Sequence, residues 1–149
     1  MTVSFQLVID CTDPDPLAHF WAEALHYVIA QPPPGFDNWD DFYRSIGVPE
    51  DELGLGDAAD RIEDPKGEGP PIWFQVVPEK KSIKNRLHID VNAGGGRGHS
   101  LETRRERVEA EAARLESLGA TRLSALDVEG MDHYAVAMLD PEGNEFDIN

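Results

Sequence analysis

From Leu87 to Asn92 the chain alternates strictly, with Leu87, Ile89 and Val91 apolar and His88, Asp90 and Asn92 polar. That is the two-residue period of a strand with one oily and one polar face. The same pattern predicts a strand in SFQLVIDC, where Phe5, Leu7 and Ile9 oppose Gln6, Val8 and Asp10. It recurs in IWFQVV, where Ile72, Phe74 and Val76 oppose Trp73, Gln75 and Val77. In the closing EFDIN, Phe146 and Ile148 oppose Glu145, Asp147 and Asn149. Further strands are predicted near YVIAQ, ADRIED, TRLSALD and HYAVAML. Two stretches follow helical spacing instead. The first runs through Leu17, Phe20, Trp21, Ala24, Leu25 and Val28. The second runs through Leu101, Arg105, Val108, Ala112, Leu115 and Leu118, a face apolar except at Arg105. Ser100 is placed to cap this helix and Gly119 to stop it.

The chain resembles itself. Asp64-Pro65-Lys66-Gly67 and Asp140-Pro141-Glu142-Gly143 each precede a strand pattern. Proline presets φ and glycine accepts positive φ, so both read as turns. Each half then reads β-α-β-β-β, which predicts an α+β fold. Two βαβββ modules, related by a pseudo-twofold, form a curved mixed sheet around a central cavity, with helices on the outer face. Residues 1–149 make a single domain. Module one spans 1–78 with an insertion at about 32–58, a linker covers 79–86, and module two spans 87–149. The insertion is predicted to carry one or two short helices. Its aromatics, Phe36, Trp39, Phe42 and Tyr43, either cover a cavity or anchor the insertion to the core. The loop GGGRGHS lacks the Gly-Lys-Ser/Thr ending of a phosphate cradle and reads as a flexible connection.

Composition narrows the partners. With 40% hydrophobic residues, a 149-residue chain can bury a core. A net charge of −16 argues against nucleic acid and against an anionic membrane surface. Cys11 is the one cysteine, so an intramolecular disulfide and a Cys-rich zinc site are excluded. The first residues lack the basic start and apolar centre of a signal peptide, and no apolar run approaches the roughly 20 residues that span a bilayer. The expectation is a soluble, cytoplasmic protein. Lys80, Lys81, Lys84 and Arg86 read as a solvated linker before they read as an attraction site for an anion.

Four residues on polar strand faces stand out as candidates: Gln6, Gln75, His88 and Asp147. The repeat matches Gln6 with His88, and Gln75 with Asp147 through WFQVV against EFDIN. Two matched pairs are expected to converge on one cavity. His19, His26 and His99 read as surface residues, and His133 as a residue at the cavity mouth.

CTDPDPLAHFWAEAL, VPEKKSIKNRLHIDV and LDPEGNEFDI, together with the paired modules, resemble the vicinal oxygen chelate superfamily, the glyoxalase/bleomycin resistance/dioxygenase fold. The last two are similar to a glyoxalase-like subgroup that commonly reads Lys-Asn-Arg-Leu-His and Asp-Pro-Glu-Gly-Asn-Glu-Phe there. The resemblance covers nearly the whole chain outside the insertion. It implies a homodimer and a divalent metal (Mn, Ni, Co, Fe or Zn) held by Gln6, Gln75, His88 and Asp147; otherwise no cofactor is expected. Gln75 stands where glyoxalase I usually has Glu, and Gln6 stands where an iron triad would need a second histidine. Extradiol dioxygenase chemistry is therefore not expected. Two functions remain open beside a module with no retained small-molecule role. One is a metal-dependent lyase, isomerase or transferase acting on a small oxygenated molecule, with Asp147 or a metal-bound water as base. The other is a metal-free small-molecule-binding or drug-sequestering protein. There Trp73, Tyr134 and the insertion aromatics would stack on the ligand, His133 would stand at the mouth, and Asp90 and Asp147 would attract a cation.

Overall fold

The first helical pattern becomes α1, Pro14–Leu25. Pro14 stands in the first turn, where a missing N–H leaves no helical bond unmade. Leu17, Phe20, Trp21 and Ala24 are buried along one face. The helix stops short of the predicted stripe. His26 takes a left-handed conformation (φ 56°) and its N–H bonds to Ala22 O, which turns the chain out of the helix. Val28, expected on the helix face, instead opens the strand β2, Val28–Ile29, and is exposed.

The computed structural model describes residues 1–53, 56 and 58–149; positions 54, 55 and 57 of the predicted insertion lie outside the described residues. The chain divides into two compact units, Met1–Val77 and Pro78–Asn149. The first holds β1 (Leu7–Cys11), α1, β2, α2 (Trp39–Ser45), a 3-10 turn at Glu50–Glu52, β3 (Arg61–Glu63) and β4 (Ile72–Val76). The second holds β5 (Asp90–Val91), α3 (Leu101–Ser117), β6 (Thr121–Asp127), β7 (Tyr134–Leu139) and β8 (Glu145–Ile148). Their sheets run β1-β4-β3-β2 and β5-β8-β7-β6. In each, the first and last strands pair in parallel and the remaining pairs are antiparallel. The predicted α+β class and repeated topology are present in both units. In the insertion, α2 is capped by Asn38, whose Oδ1 accepts from Asp41 N at 2.8 Å.

Both Asp-Pro-x-Gly segments are built alike. Asp64 accepts hydrogen bonds from the N–H groups of Lys66, Glu68 and Gly69, and Asp140 from those of Glu142 and Asn144. Gly67 and Gly143 both take positive φ, at 69° and 87°. The strands that follow differ in length of approach. Ile62 pairs with Ile72, whereas Met138 pairs with Phe146, so the first connection is two residues longer.

The cores lie between helix and sheet. Leu17, Trp21, Ile62, Ile72 and Phe74 fill the first unit; Val108, Ala112, Leu115, Val136, Met138, Phe146 and Ile148 fill the second. Burying a side chain of this size contributes about 1.5–3 kcal/mol. Ser100 caps α3 as expected, its Oγ accepting from Thr103 N at 3.1 Å, and Gly119 follows the helix with φ 111°. The buried arginine of α3 is Arg104, whereas Arg105, the exception on the predicted apolar face, is only half-buried. The Arg104 guanidinium reaches His99 O at 3.2 Å and pairs with Asp132. One residue is a rotation of about 100° around a helix, so the stripe passes beside Arg105 rather than through it.

Two predicted strands are shorter than their alternation. Leu87 is 81% exposed and Phe5 69% exposed, although both belong to the apolar phase. The register explains this. With Asp90 opposite Asp147, Leu87 lies level with Asn144 in the turn, ahead of β8. With Leu7 opposite Ile72, Phe5 lies level with Pro70, ahead of β4. The loop read as a flexible connection is anchored at its start. Ala93 N and Gly94 N both donate to Asn149 O, at 2.7 and 2.8 Å.

Candidate functional site

The parallel pairing of β5 with β8 sets Asp90 directly beside Asp147. Val91 and Ile148 are buried in the core, so the two aspartates share the opposite face. His88 precedes Asp90 by two positions and belongs to that same face. Its Nε2 lies 3.3 Å from Asp90 Oδ1 and 3.4 Å from Asp147 Oδ2. One donor atom from each of the three lies within 4.8 Å of the others. The side chains are 43%, 51% and 38% exposed for His88, Asp90 and Asp147, so solvent and solutes reach them.

Like charges directly opposite on neighbouring strands repel. A cation between Asp90 and Asp147 would offset that repulsion. The donor set is one imidazole nitrogen and two carboxylate oxygens. Such a set fits a divalent ion that accepts mixed nitrogen and oxygen donors and keeps further positions for water or substrate. Asp90, predicted as a ligand contact, thus joins His88 and Asp147. Only the parallel register reveals it, because nothing local distinguishes Asp90 from any other exposed strand aspartate.

The other predicted residues fall as follows. Gln6 is exposed just before β1, and Gln75 is exposed on β4 opposite Asp10. The longer first connection changes the repeat. Matched from the two turns, the counterpart of Asp147 is Trp73, not Gln75, while Gln6 keeps its correspondence with His88. His133 is half-buried immediately before β7. Tyr134, expected to stack on a ligand, is buried instead. Its hydroxyl donates to Glu109 on α3, and the Arg105 guanidinium lies 4.6 Å from its ring centroid. Burial and then the Glu109 bond push the Tyr134 hydroxyl above its ordinary pKa, and the Arg122 and Tyr134 bonds hold Glu109 below its own. This is a packed corner of the second unit. The basic stretch is partly engaged as well, since Lys81 Nζ lies 3.1 Å from Glu145 Oε2. Asn85 N donates to the same carboxylate at 2.9 Å, and these contacts, led by the Asn85 bond, lower Glu145 to about 2.

The first unit holds a cavity of about 480 Å³. Trp39, Tyr43, Asp60, Arg61, Trp73 and Gln75 are among its walls. The Arg61 guanidinium lies 4.6 Å from the Trp39 centroid, 5.3 Å from that of Trp73 and 5.4 Å from that of Tyr43. Trp73 Nε1 donates to Asp60 Oδ2 at 3.3 Å. Burial pushes the Asp60 carboxyl up, against the opposing pull of Arg61. The sequence reading missed Asp60 and Arg61. Their signal was a salt-forming pair at the start of a strand, which ordinarily marks a solvated edge.

Among the described residues, no helix is long and apolar enough to cross a membrane. No curated protein matches the chain in sequence. Similar folds occur in solved structures. A glyoxalase/bleomycin resistance protein/dioxygenase family enzyme from Burkholderia phytofirmans aligns with a TM-score of 0.54 at 18% identity, covering 97% of this chain and 94% of that one. The fosfomycin resistance protein FosX from Listeria monocytogenes aligns with a TM-score of 0.59 at 9% identity, covering 99% and 92%. A mutant of that FosX, complexed with Mn(II) and dihydroxypropylphosphonic acid, aligns at 0.58 with 11% identity, covering 100% and 90%. At such identities the likeness is one of fold. The profile of the glyoxalase-like domain matches residues 6–149, nearly the full chain, and with the repeated modules it makes this protein a member of the glyoxalase-like family of the vicinal oxygen chelate fold.

Proposed function

We propose that the protein is a divalent-metal-dependent enzyme of the vicinal oxygen chelate type, a lyase, isomerase or transferase for a small oxygenated molecule. The observation that carries this reading is the His88, Asp90 and Asp147 cluster, three donors within 4.8 Å on one exposed strand face. When bound there, a divalent ion would supply Lewis acidity to neighbouring substrate oxygens. The protein's own part is positioning. Asp147 N bonds to Ile89 O and Asn149 N to Val91 O, both at 3.0 Å, so both aspartates are set by the sheet ladder rather than by loops. His88 Nε2 faces both carboxylates, at 3.3 and 3.4 Å. The Mn(II) complex of the FosX mutant supports the choice of ion class.

The cation-sequestering alternative loses support from two side chains. Trp73 already faces the Arg61 guanidinium, and Tyr134 is buried against Arg105 and Glu109. Elemental mass spectrometry of tag-free protein tests the metal reading. A near-stoichiometric Mn, Ni, Co, Fe or Zn content that His88→Ala loses is expected; 2-oxoaldehydes, epoxides and thiol transfer are then assayed on the loaded protein. Absence of metal after incubation with each ion would sink the proposal. The homodimer implied by family resemblance belongs to the same proposal, and light scattering reads it.

A further inference from the structure

We propose that α2 is a movable cover over the cavity of the first unit, held shut by Arg61. Trp39, Asp40 and Tyr43 of α2 form one wall of that cavity, and Trp73 and Gln75 of β4 form another. The sheet does not need this cover. Residues 30–60 join β2 to β3, whereas residues 128–133 suffice to join the corresponding strands β6 and β7. Nor is α2 tied down by a core, since none of its residues is buried. Its rings pack on one another and on Phe36. The centroids of Phe36 and Phe42 lie 5.4 Å apart, those of Trp39 and Phe42 6.0 Å, and those of Trp39 and Tyr43 5.9 Å. An element with few buried contacts belongs to the low-stability end of a fold, from which lids are drawn.

Arg61 is the bolt. On the sheet it stands opposite Trp73 in the register of β3 with β4, its guanidinium 5.3 Å from that ring's centroid. From the same place it lies 4.6 Å from the Trp39 centroid and 5.4 Å from that of Tyr43, both on α2. One cation thus joins sheet to cover through ring faces. Asp60 fixes it there, with Oδ1 3.5 Å from Arg61 Nε and Oδ2 accepting from Trp73 Nε1 at 3.3 Å. Trp39 Nε1 adds one bond to Ala30 O, at 3.2 Å. Closure is opposed by desolvation. The Tyr43 hydroxyl and Arg61 Nε are buried with no hydrogen-bond partner among the described residues, and opening returns both to water. A single guanidinium set against two unsatisfied polar groups makes the closed position one that α2 leaves. None of these residues belongs to the His88 cluster, so the cover stands apart from the metal reading.

Two measurements on the metal-stripped full chain test this. Hydrogen–deuterium exchange reads the parent, in which amides of α2 are expected to exchange about 100-fold or more faster than those at the centre of α3. Hydroxyl-radical footprinting with mass spectrometry then reads each tryptophan. Arg61→Gln removes the cation and should speed oxidation of Trp39 and Trp73 by about threefold to tenfold. Trp21, fully buried on α1, should stay protected. Arg61→Lys keeps a charge but loses the planar guanidinium, and should fall between Arg61→Gln and the parent. Arg44→Gln removes exposed ion pairs to Asp41 and Glu50 and should leave Trp73 unchanged. Parent α2 amides as protected as those of α3 overturn the proposal. So does Trp73 oxidation that Arg61→Gln leaves unchanged. A rise at Trp21 alongside Trp73 in both Arg61 variants also overturns it, because it shows an arginine whose loss loosens the whole unit. Neither measurement reads metal at His88, so these failures leave the metal reading intact, and loss of metal binding leaves the cover intact.

Discussion

Asp90→Asn separates a metal ligand from a structural aspartate, because the two roles move stability in opposite directions. In the metal-free protein, Asp90 and Asp147 offer carboxylate oxygens within 4.8 Å of each other. Two unit charges at that distance repel by about 0.9 kcal/mol at the dielectric of water, before salt screening. Both side chains are substantially exposed, so the water value is the relevant one and screening lowers it further. Removing the charge relieves the repulsion and loses one contact to His88. The stripped variant should therefore melt at or slightly above the parent. Metal binding should respond far more. Disturbing even the outer partners of a metal site typically costs 10–100-fold in affinity, so losing a ligand should cost about 100-fold or more. At a free metal concentration 100 times the parent Kd, binding stabilises the parent by about 2.7 kcal/mol. For a chain of this size that is a rise in Tm of roughly 5–11 °C. At the same concentration the variant would sit near its own Kd and gain only about 0.4 kcal/mol, a rise of about 1 °C. Thermal shift with and without Mn(II), beside a direct titration, reads all of this. A stripped variant several degrees less stable than the parent, with an undiminished Mn(II) shift, would refute the ligand role and leave Asp90 as a structural partner of His88.

Glu145, lowered to about 2 from an ordinary 4.5, contributes stability that is present above pH 4.5 and lost as pH falls towards 2. Urea unfolding at stepped pH should show Glu145→Gln with a flatter acid limb than the parent; parallel limbs would mean the Asn85 and Lys81 contacts do not persist in solution. Phe146 is fully buried in the second unit, and Phe146→Ala should destabilise by about 3–5 kcal/mol, measured by denaturant melts. A loss under about 1 kcal/mol would place Phe146 outside a packed core. Gly119 leaves α3 at φ 111°, where a Cβ is strained, so Gly119→Ala should cost about 1–2 kcal/mol; an unchanged melt would show another exit from the helix.

What could be read from the sequence was what the sequence encodes locally. Ser100 and the two Asp-Pro-x-Gly turns act through hydrogen bonds spanning only a few residues, and each was legible from residue type and spacing. Strand length was not, because Leu87 and Phe5 continue the alternation past the point where β8 and β4 provide a neighbour. Tyr134 escaped for a related reason. Consecutive residues Tyr134, Ala135 and Val136 are all buried, so period two no longer tells which face meets α3.

The site follows the same division. His88 and Asp147 were singled out by strand alternation together with the repeat, and the fold brings them within 3.4 Å of each other. Asp90 entered the cluster through a pairing between residues 57 positions apart, which no local pattern carries. The extra two residues between Ile62 and Ile72 then place Trp73 where the second unit has Asp147. The two repeats thus offer different chemistry at corresponding strand positions. The first presents Trp73 beside a guanidinium, and the second presents carboxylates beside an imidazole. A duplication that keeps its turns and ladders leaves these outward positions free to diverge, since they are not tied to the buried face. That freedom predicts an asymmetric response to swapping. Trp73→Asp would put a carboxylate at the place corresponding to Asp147, but Val8 occupies the place of Asp90 and Gln6 that of His88. The first unit would then offer one anionic donor and one amide, and Trp73→Asp should bind no additional Mn(II) by elemental analysis. A second equivalent of metal in that variant would show that the unlike donors matter less than the ladder that holds them.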